Sequence, residues 1–252
     1  MRIVSLVPSL TELVCALGLA DRLVGRTGFC VHPRELVRNI PKVGGTKTVR
    51  LEAVRALAPT HVVLNVDENR KETADALAEF VPNLVVTHPL GPLDNLALYR
   101  RFGEVFERAR EAEALCAMFQ EAYDAARADT PRPRNVLYLI WKDPWMTVSR
   151  DTYISRTLEL FGLRTVPAES GERYPKLADL RAPGADLVLM SSEPYRFRER
   201  MLSAARRLAQ GIEPQSPYDP DCYRVRAHAA RVPRDGRDFV EHEAFRRAML
   251  AP

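Results

Sequence analysis

The sequence predicts an α/β fold with two lobes, each built on a small parallel sheet, and a long helical segment between them. Short apolar runs that suit strands buried on both faces alternate with helical patterns over residues 1–93 and again over residues 131–210. Residues 94–130 keep a helical spacing of apolar positions without a single proline. We therefore expect two α/β lobes, a connecting helix and an atypical tail over residues 211–252.

The chain opens with an apolar run that predicts a strand, Ile3 to Val7, followed by a helix. Ser9 stands three residues before Glu12, which is the spacing of a capping box. Gly18 is placed to end the helix in the left-handed conformation. Because the fold starts at once, we expect no leader and a cytoplasmic location, or a periplasmic one if the natural N-terminus is longer.

The rest of the first lobe alternates in the same way. Strands are predicted over residues 23–25, 61–65 and 84–87, and helices over residues 51–57 and 69–80. Two loops interrupt the alternation. Residues 29–33 carry an aromatic ring, a thiol and an imidazole, and residues 43–46 carry two glycines that let the backbone pass close to another group. A parallel sheet covered on both faces follows from this pattern.

The middle segment, residues 94–130, is either one very long helix or two abutting helices, and Gly103 is its weakest point. Asp94 can cap its start. In the second lobe, strands are predicted over residues 136–141, 146–148, 165–166 and 187–190, and helices over 152–161 and 195–209. Asp151 or Thr152 can cap the first of these helices, and Gly162 ends it. The proline- and arginine-rich tail predicts loops with one short amphipathic helix over residues 239–250.

Composition excludes several classes of function. The 252 residues carry a net charge of +4, and arginine is spread along the chain instead of striping one element, so we expect no nucleic-acid partner. No apolar run is long enough to span a membrane. The cysteines are scattered without metal-binding spacing, which predicts reduced thiols in the core. They are Cys15, Cys30, Cys116 and Cys222.

Motifs for catalysis or metal binding are weak. Cys30 and His32, with His61 or His88, could bind a soft metal, but a metal needs three or four converging ligands, and we predict no metal site. The turn over residues 191–193 has serines after a strand, yet it lacks the glycine that a nucleophile elbow requires. We predict no catalytic residue, no cofactor and no enzymatic activity.

Four motifs together carry a family resemblance. They are SLVPSLTEL-x(3)-LGL, GFC-x-HP, VGG-x(5)-LEAVRALAPTHVV and PWMTVSRDTYIS-x(2)-LELFG. Over about residues 2–200 the chain resembles the helical-backbone substrate-binding proteins of ABC transporters, the receptors for vitamin B12, haem and iron–siderophores. The resemblance implies two Rossmann-like lobes joined by a rigid long helix, with ligand in the cleft between them and little closure of the lobes. A monomer is expected.

The resemblance also implies a ligand site with aromatic side chains that stack on a flat macrocycle. Phe29 and Tyr174 match aromatic positions of the family. Thr46 and Asn65 stand where B12 receptors carry tryptophans, which suits a more polar or anionic ligand than cobalamin. The two tryptophans either replace that stacking surface or are core and turn residues. The predicted ligand-binding residues are Phe29, His32, Thr46, Lys47, Asn65, Trp141, Trp145, Arg150 and Tyr174.

Family members dock on their permease through one acidic residue in each lobe. Glu52 matches the first of these positions, although it could also be a solvated carboxylate in the first turn of a helix. Asp179 is the nearest substitute for the second. The resemblance therefore implies a solute-binding protein that delivers cobalamin, haem or a ferric siderophore to an ABC importer. The alternatives are a cytoplasmic enzyme, a corrinoid- or metal-handling factor, or an interaction module without a ligand.

Overall fold

The computed structural model describes residues 1–128, 132–168, 171–177, 184–190 and 197. They form two compact units: residues 1–89 with 93–118, and residues 90–92 with the described residues from 119 onward. Several predictions fall outside the described residues: Asp179, Cys222, the turn over 191–193, the helix over 195–209 and the tail over 211–252. The domain bounds drawn from the sequence stay a prediction.

The first unit is built on a four-stranded parallel sheet with the strand order β2-β1-β3-β4. The strands are β1 (Ile3–Ser5), β2 (Leu23–Arg26), β3 (His61–Asn65) and β4 (Asn83–Thr87). The helices are α1 (Pro8–Ala16), α2 (Arg34–Val37), α3 (Leu51–Ala56), α4 (Lys71–Ala78) and α5 (Asp94–Val105), and a 3₁₀ turn spans Ala20–Arg22. The predicted parallel sheet is confirmed.

The apolar runs of this sheet are buried because helices cover both of its faces. Val62 of β3 pairs with Val4 of β1 on one side and with Leu84 of β4 on the other. Val54 of α3 and Leu77 of α4 pack into the same core. Burying side chains of this size contributes about 1.5–3 kcal/mol each, so the core holds the strand ends in place.

The capping box predicted at the first helix is wrong. The helix begins at Pro8, one residue before Ser9, and Val7 is its N-cap without a side-chain hydrogen bond. Proline favours the first helical position because its φ is already helical and it has no N–H to satisfy. Ser9 therefore lies inside the first turn. Gly18 does end the segment as predicted, with φ at 73°.

The middle segment is two helices, not one. The first, α5, ends at Val105, and α6 runs from Ala109 to Ala128, with its residues from 119 onward in the second unit. Glu107 lies between them at φ 57°. Gly103 is not the break: a Cβ there would stand 2.6 Å from the Cβ of Ala112, so its missing side chain lets α6 approach α5.

Two hydrogen bonds between one pair of side chains also fix this corner between the helices. Arg100 of α5 donates from Nε and Nη2 to the two carboxylate oxygens of Glu113 of α6, at 2.7 and 3.1 Å. Asp94 is the first helical residue, and the N-cap is Leu93, so the predicted cap at Asp94 is wrong. Because the chain turns at residues 106–108, the single rigid helix implied by the resemblance is replaced by a packed pair.

A histidine of β3 makes stability of the first unit depend on pH. The His61 ring packs edge-on against Phe106 at 5.4 Å between ring centres, and burial lowers the pKa of His61 below its usual value. Since the unfolded chain takes up the proton more readily, stability should fall as the pH falls from about 6.5 towards the pKa of the folded state.

We expect His61→Gln to remove that part of the acid sensitivity. Urea unfolding at several pH values between about 7 and 5 would give the free energy of unfolding of the unaltered protein and of the variant as a function of pH. The two slopes should differ by at most about 1.4 kcal/mol per pH unit, the limit for one proton. Equal slopes for the two proteins would contradict the assignment to His61.

The second unit contains a three-stranded parallel sheet with the order β6-β5-β7. Its strands are β5 (Arg134–Leu139), β6 (Leu163–Thr165) and β7 (Leu187–Met190), and α7 spans Tyr153–Leu160. Alternate residues of β5 enter two different cores: Val136 and Tyr138 one, Leu137 and Leu139 the other. Because both faces of β5 are buried, it reads as a continuous apolar run.

Local signals in the second unit are partly confirmed. Thr152 is the N-cap of α7, where its hydroxyl accepts from the amide of Ser155 at 3.2 Å, and Gly162 ends the helix at φ 72°. The predicted strand over residues 146–148 is instead a single bridging residue, Met146, paired with Trp141 and Lys176. Among the described residues, no helix is both long and apolar enough to cross a membrane.

Candidate functional site

The candidate site of the first unit lies at the carboxyl edge of its sheet. In open α/β sheets, ligands bind outside the carboxyl ends of the strands, where the loops converge. Here the loops after β2 and β3 are linked to a glycine-rich loop over residues 43–48. Phe29, Thr46 and Lys47 lie in these loops, and Asn65 is the last residue of β3. The structure thus brings four of the predicted ligand-binding residues to one edge.

The glycine-rich loop supports an exposed aromatic ring. Gly44 has φ 120°, and a Cβ there would collide with the carbonyl oxygen of Thr48, so only glycine fits. The amide of Gly28 donates to the Gly44 carbonyl at 2.7 Å. A Cβ on Gly45 would be 3.3 Å from Cε2 of Phe29, whose ring is 63% exposed. The ring therefore rests on glycine backbone with much of its surface open to solvent.

The side chain of Asn65 shapes the loop after β3. Its Oδ1 accepts from the amides of Asp67 at 2.8 Å and Glu68 at 3.3 Å, and its Nδ2 donates to the hydroxyl of Thr87 at 3.3 Å. Lys47 reaches across from the glycine-rich loop and donates to the Asp67 carbonyl at 2.6 Å. Asn65 is thus engaged in the turn, while Lys47 holds its ammonium group at a fixed place on the exposed edge.

Sequence reasoning missed Asn69 in the same loop. The structure starts α4 at Lys71, so Asn69 lies in the turn and not in the predicted helix over 69–80. Its side chain is buried and bonds to the backbone of Leu6, Thr46 and Asn65. An asparagine four residues after another at a strand end was the available signal, since such side chains commonly bond to turn backbone.

The proposed metal ligands do not converge. Cys30 is buried, with its sulfur 3.0 Å from the hydroxyl of Thr27, whereas His32 is exposed. His61 opens β3 at the opposite edge of the sheet from His88, which follows β4 and pairs with Asp67 at 3.5 Å. Within the described ranges, no three His, Cys, Asp or Glu side chains are grouped so as to hold a metal ion.

In the second unit, Trp145 and Tyr174 are half-buried and make contacts within the protein. The Trp145 ring stacks on Phe197, with ring centres 6.1 Å apart and planes 4° from parallel. Tyr174 packs against the core around Val136. By contrast, Trp141 follows β5 and is 40% exposed, and Arg150 is exposed as well. Of these four predicted ligand-binding residues, Trp141 and Arg150 are the more exposed.

The segment that carries these residues is fixed by backbone pairing. The amides of Thr147 and Ser149 donate to the carbonyls of Pro175 and Arg173, at 3.1 and 2.9 Å. The Ser149 hydroxyl also donates to the carboxylate of Asp151. That hydrogen bond, with help from nearby arginines, holds the pKa of Asp151 below its usual value. Those arginines are Arg173 and Arg156, and the carboxylate stays charged near neutral pH.

Glu52 lies in the first turn of α3, and its side chain is 88% exposed. Its nearest ionic neighbour is Arg55, with Nε 3.9 Å from the carboxylate. An exposed pair at this distance contributes little to stability, so the carboxylate is available to an external cation.

A family model described as periplasmic binding protein matches residues 3–207. The chain belongs to the periplasmic binding protein family. This membership confirms the resemblance inferred from the four motifs, and the two parallel-sheet units agree with it.

Among the relatives of this family member is the vitamin B12-binding protein of Photorhabdus laumondii, 26% identical over 185 residues, or 71% of this chain. The chain spans 65% of the length of that relative and 66% of another from Pectobacterium atrosepticum.

Solved structures give the same architecture. A periplasmic haem-binding protein of Vibrio cholerae matches with a TM-score of 0.69 and 25% identity, covering 83% of this chain and 84% of the other. A periplasmic vitamin B12-binding protein of Vibrio cholerae matches with a TM-score of 0.66 and 18% identity, covering 82% and 83%.

Proposed function

We propose that the chain is a solute-binding protein that holds a corrin, a porphyrin or a ferric chelate for delivery to an ABC importer. Family membership supports binding as the activity, and relatives named for vitamin B12 and haem support the ligand class. The observation that carries the proposal is the Phe29 ring, largely exposed on the glycine backbone beside Lys47.

A flat macrocycle suits this edge for physical reasons. An exposed phenyl ring offers a large apolar surface that gains free energy when a second ring covers it. Gly45, which lies next to the ring, has no side chain to compete for the same space. Lys47, in turn, offers its remaining N–H groups to an anionic substituent, so the edge favours a ligand with carboxylates or other negative groups over a neutral one.

Two buried thiols of the first unit, Cys15 and Cys116, are not suited to nucleophilic catalysis. Burial, with Glu12 nearby, raises the pKa of Cys15 to about 11, and burial also raises the pKa of Cys116. A thiol must lose its proton to act as a nucleophile, so these two are inert near neutral pH.

The test is a titration of the purified protein with haemin, cobinamide, cobalamin and ferric siderophores, followed by absorbance and by calorimetry. We expect binding of at least one of these chelates with Kd below about 100 μM, or about −5.5 kcal/mol. An absorbance spectrum of freshly isolated protein would also reveal a corrin, haem or ferric chelate that copurifies. Failure of all of them to bind would overturn the proposal.

The proposal extends to permease docking through Glu52. We expect Glu52→Lys to weaken binding to the ABC permease by about tenfold or more. The resemblance implies that arginines of the permease meet this carboxylate, and the substitution sets a like charge against them. Binding to the transporter in nanodiscs would measure it. Glu72→Lys is the matched control, since Glu72 is an exposed acidic residue in the first turn of α4.

Chelate affinity should be the same in both charge-reversal variants and in the unaltered protein. Equal permease binding by the Glu52 and Glu72 variants would remove Glu52 from the docking surface. A protein that binds a chelate but no permease would instead favour the metal-handling alternative.

A further inference from the structure

Three loops at the carboxyl edge of the first sheet meet at the side chain of Asn69, which is only 5% exposed. Its Nδ2 donates to the carbonyl of Leu6, after β1, at 3.3 Å and to the carbonyl of Thr46, in the glycine-rich loop, at 3.0 Å. Its Oδ1 accepts from the amide of Asn65, at the end of β3, at 2.9 Å. One buried amide therefore ties together three separate stretches of backbone.

Only an asparagine amide in this orientation satisfies all three groups. The two carbonyl oxygens each need a donor, and the amide of Asn65 needs an acceptor. Aspartate has the same shape, but it would set an oxygen against the carbonyls of Leu6 and Thr46. Since a buried carbonyl without a donor is costly, the edge would lose this arrangement.

A second link closes the same two loops from the exposed side. Lys47, next to Thr46, donates to the carbonyl of Asp67, two residues before Asn69. The loop that bears Thr46 and Lys47 is thus held at one point by a buried side chain and at another by an exposed one. Without the buried link, the connection between the two loops would depend more heavily on the exposed lysine.

Building on the proposed function, we propose that Asn69 is a positioning residue that keeps the ligand-binding edge of the first unit preformed. It touches no ligand itself. If the edge is preformed, the binding-competent fraction of the free protein is high, and the ligand binds without first ordering the loops. Loss of Asn69 should lower that fraction and hence the rate of binding.

The first test needs no ligand. In Asn69→Asp and Asn69→Ala, hydrogen exchange should speed up about tenfold or more at the amides of Asp67 and Gly45, whose own bonds go to Asn65 Oδ1 and the Thr48 carbonyl. Amides of residues 62–64, inside β3, should keep their protection. The matched control is Leu77→Ala, a core change in α4 that lowers the melting temperature without touching these loops.

The second test uses the chelate that binds the unaltered protein most tightly. At a temperature where every variant is folded, Asn69→Asp should slow association by about tenfold and leave the dissociation rate within about twofold. A merely structural role would move neither rate. An unchanged association rate, or exchange that rises equally at all amides, would overturn the inference. If the unaltered protein binds no chelate, the proposed function fails, and the exchange data alone decide the role of Asn69.

Discussion

Phe106→Ala is expected to lower the free energy of unfolding by about 3–5 kcal/mol, the range for deleting a fully buried phenylalanine. Phe106 is 1% exposed and follows the last residue of α5. Its ring contacts Phe102 edge-on, at 5.3 Å between centres and 68° between planes, and meets His61 of β3 in the same manner. The ring therefore joins the corner of the two helices to the sheet, and its deletion leaves a cavity in a buried position.

Urea unfolding followed by circular dichroism would measure this loss. Phe29→Ala is a matched control, because the same ring is deleted at a position that is 63% exposed, where a surface change is worth about 0.5 kcal/mol or less. If the two variants unfolded at the same urea concentration, Phe106 would not be a core residue of this corner.

Within the fold, the strands could be predicted best from the sequence. The bounds of β3 and β7 were predicted correctly, because short apolar runs between polar residues are typical of strands buried on both faces. The start of α1 was not, because two signals compete there: the Ser9–Glu12 spacing and Pro8 at the first helical position. Proline prevailed because it presets the backbone angle.

The break between α5 and α6 had no local signal. Neither proline nor glycine marks residues 106–108, and the left-handed residue there is Glu107. The turn follows from packing, since burial of Phe106 and the close approach at Gly103 both require α6 to fold back on α5. Such long-range contacts cannot be deduced from the spacing of apolar residues.

The candidate site was predictable where backbone chemistry marks it. The paired glycines predicted a loop over residues 43–46, whereas Thr46 and Asn65 became candidate ligand residues through the family resemblance. The roles of the aromatic residues in the second unit were harder to predict. The sequence does not distinguish a ring that stacks on a ligand from one that stacks on the protein. Trp145 stacks on Phe197, whereas Trp141 is exposed.

Phe29→Ala is expected to weaken binding of the preferred chelate by about 30-fold, or about 2 kcal/mol, the scale of a hot-spot aromatic residue. The ring is mostly exposed in the free protein, so its deletion removes stacking surface without opening a cavity in the core. Phe29→Tyr keeps the ring, and it should keep the affinity within about threefold.

Calorimetric titration of the three proteins would measure these affinities, with Met118→Ala as the control for loss of an exposed apolar side chain elsewhere on the first unit. Because Met118 lies on α6, away from the glycine-rich loop in the chain, its loss should leave the affinity unchanged. Equal weakening by the Met118 and Phe29 variants, or none by the Phe29 variant, would show that the ligand does not stack on Phe29. Selectivity of this edge for a ring-bearing ligand depends on that contact, since Lys47 alone would accept any anion.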